Sequence, residues 1–193
     1  MSTGNLKQME GRTASTKTSD IDYHLPEASL APAHASPSQG IIRIMSTNVL
    51  FDEFEALSRK TYGERLVSLA VFGSTGRGTA RPDSDVDILL VIEGLSHWRM
   101  ERVEEFKPIE SALYGVLLSP VLKTPDEIRN GSPLLLDMVE DAVILYDQND
   151  FLKNTLNHLQ NNMKQLGAKR IWRGDHWFWD LKPDYQQGEV FEV

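Results

Sequence analysis

The chain contains no cysteine. Disulfides, thiolate catalysis and Cys-based zinc sites are therefore excluded, and the absence fits a reducing compartment. Positive charge is also in short supply: 20 Lys and Arg stand against 28 Asp and Glu, for a formal net charge of -8 at pH 7. Gripping nucleic acid through a broad basic face takes many phosphate contacts from Lys and Arg, so a long nucleic acid is the least attractive partner. No apolar run approaches membrane-spanning length, and the N-terminus shows no charged-then-apolar signal pattern. The five histidines show no metal-ligand spacing. A soluble, cytoplasmic protein without a membrane role is the expectation.

Large apolar residues are scarce in residues 1–40, which are rich in Ser, Thr, Ala, Pro and Gly. Such a segment cannot bury enough surface to offset the entropy of ordering, and it is expected to be a disordered leader. The expected organisation is then a core over residues 41–150, followed by a C-terminal helix and a short aromatic-rich extension over 151–193, packed on that core.

What is present from Ile41 onward is a succession of helical and strand patterns. Val49, Leu50, Phe54, Leu57 and Tyr62 recur at helical spacing, predicting a helix over about Thr47–Tyr62 with Gly63 as its stop. Leu66–Phe72 reads as a buried strand, 73–84 as a turn-forming connection, and Asp87–Ile92 as a second buried strand. A helix over about Trp98–Leu113 has Met100, Val103, Phe106, Ile109 and Leu113 on one side, with Pro108 as a kink or division. Val116–Leu118 and Val121–Leu122 form a third strand interrupted at Ser119-Pro120. Thr124-Pro125-Asp126-Glu127 is a helix start, and Leu134–Val139 either continues that helix or begins another. Ala142–Tyr146 is a fourth strand, and Leu152–Leu166 an amphipathic helix ending at Gly167. The alternation predicts an α/β (α+β) fold, a small mixed sheet flanked by helices.

The chemistry is concentrated in Phe72-Gly73-Ser74-Thr75-Gly76-Arg77-Gly78 and, after Thr79-Ala80-Arg81-Pro82-Asp83-Ser84, in Asp85-Val86-Asp87. Strand alternation puts Asp85 and Asp87 on one face and turns Val86 into the core. Two carboxylates this close repel unless a cation lies between them. Mg²⁺ suits, because it takes oxygen ligands and shares its octahedron with substrate phosphates. Gly73 permits close backbone approach, and the Ser74 hydroxyl with neighbouring N–H groups can bind phosphate oxygens. Arg77 and Arg81 can answer either the acids or a triphosphate. There is no Gly-x-Gly-x-x-Gly and no Gly-Lys-Ser/Thr, which excludes the dinucleotide and P-loop alternatives.

Gly-Ser, ten intervening residues and Asp-x-Asp resemble the signature of the polymerase β-like nucleotidyltransferases. With Arg77-Gly78 and Ser84, the string resembles the minimal nucleotidyltransferases of prokaryotes, many of them antitoxins. Ser119-Pro120, Leu135–Val139, Tyr146-Asp147 and Asp180–Tyr185 extend the likeness. The resemblance implies a nucleotidyltransferase fold, with Asp85 and Asp87 as catalytic metal ligands for Mg²⁺. It also implies a nucleotide-binding turn at Gly73 and Ser74, with Arg77. The implied activity moves a nucleoside monophosphate, AMP from ATP by family habit, onto a hydroxyl of a protein or small molecule. The alternative is an antitoxin-type protein that neutralises a HEPN-type toxin partner by docking, with little or no catalysis. Members often carry a third acid on the later strand, yet Val116–Lys123 has no carboxylate. Glu93 is one substitute; a base supplied by bound substrate is another.

Elsewhere the expectations are structural. Trp172, Trp177 and Trp179 favour packing over stacking on a base, and Arg102 with Glu105 forms a solvated helix pair. Lys169, Arg170 and Arg173 are a compact basic cluster for which phosphate contact is the minority reading.

Overall fold

A computed structural model of the chain describes residues 47–174 and 176–191. The leader expected over residues 1–40 lies outside them.

Helix α1 (Thr47–Tyr62) buries Leu50, Phe51, Phe54 and Tyr62, while Val49 is half exposed. Its apolar stripe is thus rotated from the expected one, with Phe51 replacing Val49. Gly63, at φ +55, ends the helix and feeds a single 3-10 turn into strand β1 (Leu66–Phe72). β1 is buried along its whole length. After one helical turn, α2 (Gly73–Gly76), and an exposed loop, strand β2 (Val86–Ile92) runs antiparallel to β1.

Helix α3 (Arg99–Ala112) leads to β3 (Leu118–Lys123), which lies parallel to β2. Pro108 sits inside α3 without dividing it, and Met100 and Val103 are exposed, so the buried face is Phe106, Ile109 and the following Leu113. The expected break in β3 does not occur either. Ser119 pairs with Asp87 and Pro120 with Ile88 in one uninterrupted ladder. Among the described residues β3 is an outer strand of the sheet, where a proline costs no ladder hydrogen bond if its missing N–H faces away from β2.

Helix α4 (Pro125–Arg129) starts with a complete capping box: Thr124 Oγ1 accepts from the Glu127 N–H at 3.1 Å, and Glu127 accepts from the Thr124 N–H at 2.9 Å. A separate helix, α5 (Pro133–Asp141), begins after Gly131-Ser132. Strand β4 (Val143–Asp147) then pairs antiparallel with β1, giving the order β3-β2-β1-β4. Helix α6 (Phe151–Gln165) follows. Asp147 anchors its start by accepting from the Leu152 and Lys153 N–H groups, both at 2.9 Å, and from Ser68 Oγ at 2.6 Å. The extension, expected only as an aromatic cluster and tail, folds into a hairpin of β5 (Lys169–Arg173) and β6 (His176–Asp180) turning through Gly174 at φ +61.

Alternation along the central strands divides the core in two. Leu69, Val71, Ile88, Leu90 and Ile92 pack against α1 and α3 on one face. Val67, Ala70, Phe72, Leu89 and Val91 pack against Ile128, Leu135, Met138, Leu152 and Leu156 of α4, α5 and α6 on the other. Val86 is buried on the α1/α3 side, as expected. Asp87 has the parity of Leu89 and Val91, so its side chain emerges on the α4–α6 face. Among the described residues, no helix is long and apolar enough to cross a membrane.

Candidate active site

The antiparallel register pairs Phe72, the last residue of β1, with Asp87 near the start of β2. Residues ten or more positions apart are thereby brought to one end of the sheet. Gly73 follows at φ +67, a left-handed conformation that favours glycine. A Cβ built at Gly73 would collide with Asp87 Oδ2. The missing side chain is therefore the space in which that carboxylate sits.

The turn is held by its own backbone. The Arg77 N–H donates to the Gly73 carbonyl at 3.1 Å, and the Thr79 N–H to the Ser74 carbonyl at 2.9 Å. Gly73 to Arg77 are half-buried, open enough for a ligand to reach them. Gly76 is pressed against the Asp141 carbonyl, where a Cβ would also collide, so the turn rests on the C-terminal end of α5. Farther along the loop, Arg81 and Ser84 close a turn through the Arg81 N–H to Ser84 Oγ at 2.9 Å and the Ser84 N–H to the Arg81 carbonyl at 3.0 Å.

Asp85 is exposed just before β2, and Asp87 is half-buried within it. Burial pushes the Asp87 carboxyl above its ordinary range, and the negative charge of Asp85 adds to the effect. A hydrogen bond from Ser119 and the nearby Arg77 guanidinium pull it back. Ser119 thus lies where the parallel ladder meets Asp87, on the strand expected to carry a third acid. Glu93 does not replace that acid: it follows the opposite end of β2, six residues along, or about 20 Å at strand rise. Its carbonyl is bound by Arg65 Nε at 2.9 Å.

The half-buried Arg77 side chain reaches α5. Its Nη1 donates to Asp141 Oδ2 at 2.8 Å, and Arg170 Nη2 donates to the same oxygen at 2.7 Å. Arg170 also binds Glu140 at 2.8 Å, and its guanidinium lies 3.9 Å from the Trp177 ring centroid. Trp179 Nε1 donates to the Leu136 carbonyl at 3.0 Å, so the hairpin is bolted to α5. Trp177 and Trp179 are packing residues, and Arg170 is committed to carboxylates. Asp137, one turn before Asp141, is pushed upward mainly by burial, against the pull of Arg170.

Arg102 and Glu105 do not pair with each other as expected. Arg102 binds Glu127 through two nitrogens at 2.9 and 3.0 Å and caps the Leu122 carbonyl at 3.0 Å, while Glu105 pairs with Arg65. Both interactions join separate elements, which helical spacing alone does not reveal. Sequence reasoning also missed Ser119 and Asp141. The signal for Ser119 was its parity with Val121 on a strand parallel to β2; for Asp141 there was none.

Among the described residues, no group of three or more His, Asp or Glu side chains converges on one metal position. The carboxylates of Asp85 and Asp87 nevertheless fit a divalent cation that completes its shell elsewhere. They are close enough to repel, and Asp87 is seated in the cradle left by Gly73. Hard oxygen donors of this kind suit Mg²⁺, which commonly takes one or two carboxylates plus substrate phosphates.

The chain is similar to known proteins over the same region. Residues 54–146 match the family model described as a nucleotidyltransferase domain. A protein of Methanocaldococcus jannaschii named "Putative protein adenylyltransferase" is 32% identical over 124 residues, covering 62% of this chain and 84% of that one. Among solved structures, a toxin–antitoxin with AMP-PNP is similar at TM-score 0.43 and 20% identity, covering 61% of this chain and 92% of that one. A tri-AMPylated HEPN toxin from Shewanella oneidensis in complex with MNT antitoxin gives TM-score 0.42 and 18% identity, over 63% and 93%. The family match spans the strand–turn–strand unit that bears Gly73, Ser74, Asp85 and Asp87, and with the likeness to the archaeal relative it shows that the chain belongs to the nucleotidyltransferase domain family.

Proposed function

We propose that the protein transfers AMP from ATP onto a hydroxyl group of a protein acceptor, with Mg²⁺ held by Asp85 and Asp87. The observation that carries this reading is the seat of Asp87 against Gly73, which joins the acid pair to the nucleotide turn in one site. The archaeal relative's name supports adenylyl transfer to protein over other nucleotidyl chemistries. Bound there, Mg²⁺ would neutralise phosphate charge and align the α-phosphorus for in-line attack. Gly73 and Ser74 receive the phosphate oxygens through the turn backbone and the Ser74 hydroxyl, and Arg77 adds positive charge. The acceptor oxygen bonds to the α-phosphorus, the bond to the bridging oxygen breaks, pyrophosphate leaves, and the hydroxyl proton passes to water.

A second reading rests on Ser119. A serine beside Asp87, where a third acid was expected, favours a protein that binds nucleotide and docks on a HEPN-type partner with little turnover.

One assay separates the two. The protein is incubated with α-labelled ATP, Mg²⁺ and a candidate protein acceptor, beside an Asp85→Asn/Asp87→Asn variant. Transfer of label that the variant abolishes is the expected outcome. Identical behaviour of both proteins, with both still binding the acceptor, would favour docking alone.

A further inference from the structure

The least expected polar feature beside the site is a buried carboxylate shared by two guanidinium groups. Asp141 is 8% exposed and ends α5. Its Oδ2 accepts from Arg77, which comes from the nucleotide turn, and from Arg170, which comes from the C-terminal hairpin. The backbone of the same residue presses on Gly76, so turn and helix end are in direct contact. Arg170 is itself fixed by Glu140 and by the Trp177 ring.

This arrangement restrains one nitrogen of Arg77 and leaves the rest. A guanidinium has five N–H donors. Asp141 takes a single one through Nη1, and among the described residues the other guanidinium nitrogens of Arg77 make no hydrogen bond. The Arg77 guanidinium is also close enough to Asp87 to lower its carboxyl. A long side chain loses rotamer freedom whenever it binds a ligand. Here that freedom is removed beforehand, by a carboxylate that is itself held from the opposite side.

We propose that Asp141 is a positioning residue: clamped by Arg170, it holds the Arg77 guanidinium with its free N–H edge toward the polyphosphate beside Asp87. This rests on the nucleotide-binding reading of the Gly73–Arg77 turn. It makes the C-terminal hairpin part of the nucleotide site, through two ion pairs, without any hairpin residue touching the nucleotide.

Calorimetric titration of ATP and of AMP with Mg²⁺ tests it on the full chain, using wild type, Arg77→Ala, Asp141→Asn and the double variant. Each single variant is expected to weaken ATP binding by about tenfold, as loss of an orienting partner commonly does, and to leave AMP binding unchanged. The double variant is expected to bind ATP no more weakly than Arg77→Ala. A purely structural role for Asp141 would instead make the two losses multiply and would weaken AMP equally; either result overturns the proposal. Arg170→Met reaches the same carboxylate from the hairpin and should reproduce the ATP-selective loss should Asp141→Asn fail to fold. Wild-type ATP binding together with full affinity in Asp141→Asn or Arg170→Met sinks this inference alone. Absence of ATP binding by wild type sinks the nucleotide reading and the inference with it.

Discussion

The carboxylate of Asp87 occupies the volume that any side chain at residue 73 would need. The strand register that sets Phe72 opposite Asp87 makes this contact unavoidable, because the next residue must then turn directly over the carboxylate. Glycine is required here twice, for its left-handed φ of +67 and for the room it leaves.

Gly73→Ala should therefore do two kinds of harm. Backbone strain and the displaced carboxylate together should cost about 1–3 kcal/mol, read as a shift in the denaturant midpoint. Nucleotide binding should fall at the same time. Gly131→Ala is the control: its φ is +83, yet a Cβ there meets nothing within 4 Å. It should cost about 1–2 kcal/mol from backbone strain alone and leave nucleotide binding intact. Equal effects on binding would show that Gly73 has no special relation to the site.

Asp87→Asn should trade activity for stability. The folded pKa of Asp87 lies above its unfolded value. The folded state therefore binds this proton more tightly, and stability falls as pH rises from the unfolded pKa through the folded one. The penalty is present above the folded pKa, and below the ordinary Asp pKa of about 3.9 it is gone. Without Mg²⁺, the variant should melt about 1–3 °C higher than wild type at pH 7, and the gap should close toward pH 3.5. AMP transfer should fall by at least about 100-fold, the scale seen when a single charge-stabilising group is lost. A variant that melts lower at pH 7 would contradict the burial penalty.

Ser119→Ala removes a hydrogen bond that holds the Asp87 carboxyl down. The carboxyl should then titrate at still higher pH, moving the acidic limb of the pH–activity profile upward. Mg²⁺ competes with the same proton, so metal affinity at pH 6 should weaken more than at pH 8. The plateau rate should be nearly unchanged. An acidic limb that does not move would mean that Asp87 does not govern it.

Asp147→Ala should be costly for a different reason. Its carboxylate satisfies two N–H groups at the start of α6 and the buried Ser68 hydroxyl. Loss of all three should destabilise by about 2 kcal/mol or more. ATP affinity of the folded fraction should stay at the wild-type value, because Asp147 lies at the opposite end of the paired strands from Asp87: it faces Ser68, whereas Asp87 faces Phe72. A selective loss of ATP binding would refute that separation.

Much of the fold was legible where a single local force decides. Helix Thr47–Tyr62, strand Leu66–Phe72 and the Thr124 cap follow from periodicity, a stop glycine and capping chemistry. Decisions made by distant partners were not legible. Pro120 reads as a strand break until β3 is known to be an outer strand. Arg102 reads as a partner of Glu105 until α4 brings Glu127 beside it. The site divides in the same way. Gly73, Asp85 and Asp87 announce themselves because a turn and a strand start need those residue types close in sequence. Ser119 joins Asp87 only through a parallel register set by the α3 crossover, and Asp141 joins Arg77 only because α5 ends against Gly76.

The pairing of Phe72 with Asp87 also separates chemistry from variation. Both ends of the connecting loop are pinned by the ladder, while its middle, Gly78 to Asp83, is exposed. Exposed side chains can be exchanged there without moving the carboxylates or the glycine beneath them. Such a loop is a replaceable rim on a fixed socket. The surface chemistry of the rim can therefore change while the socket stays unchanged.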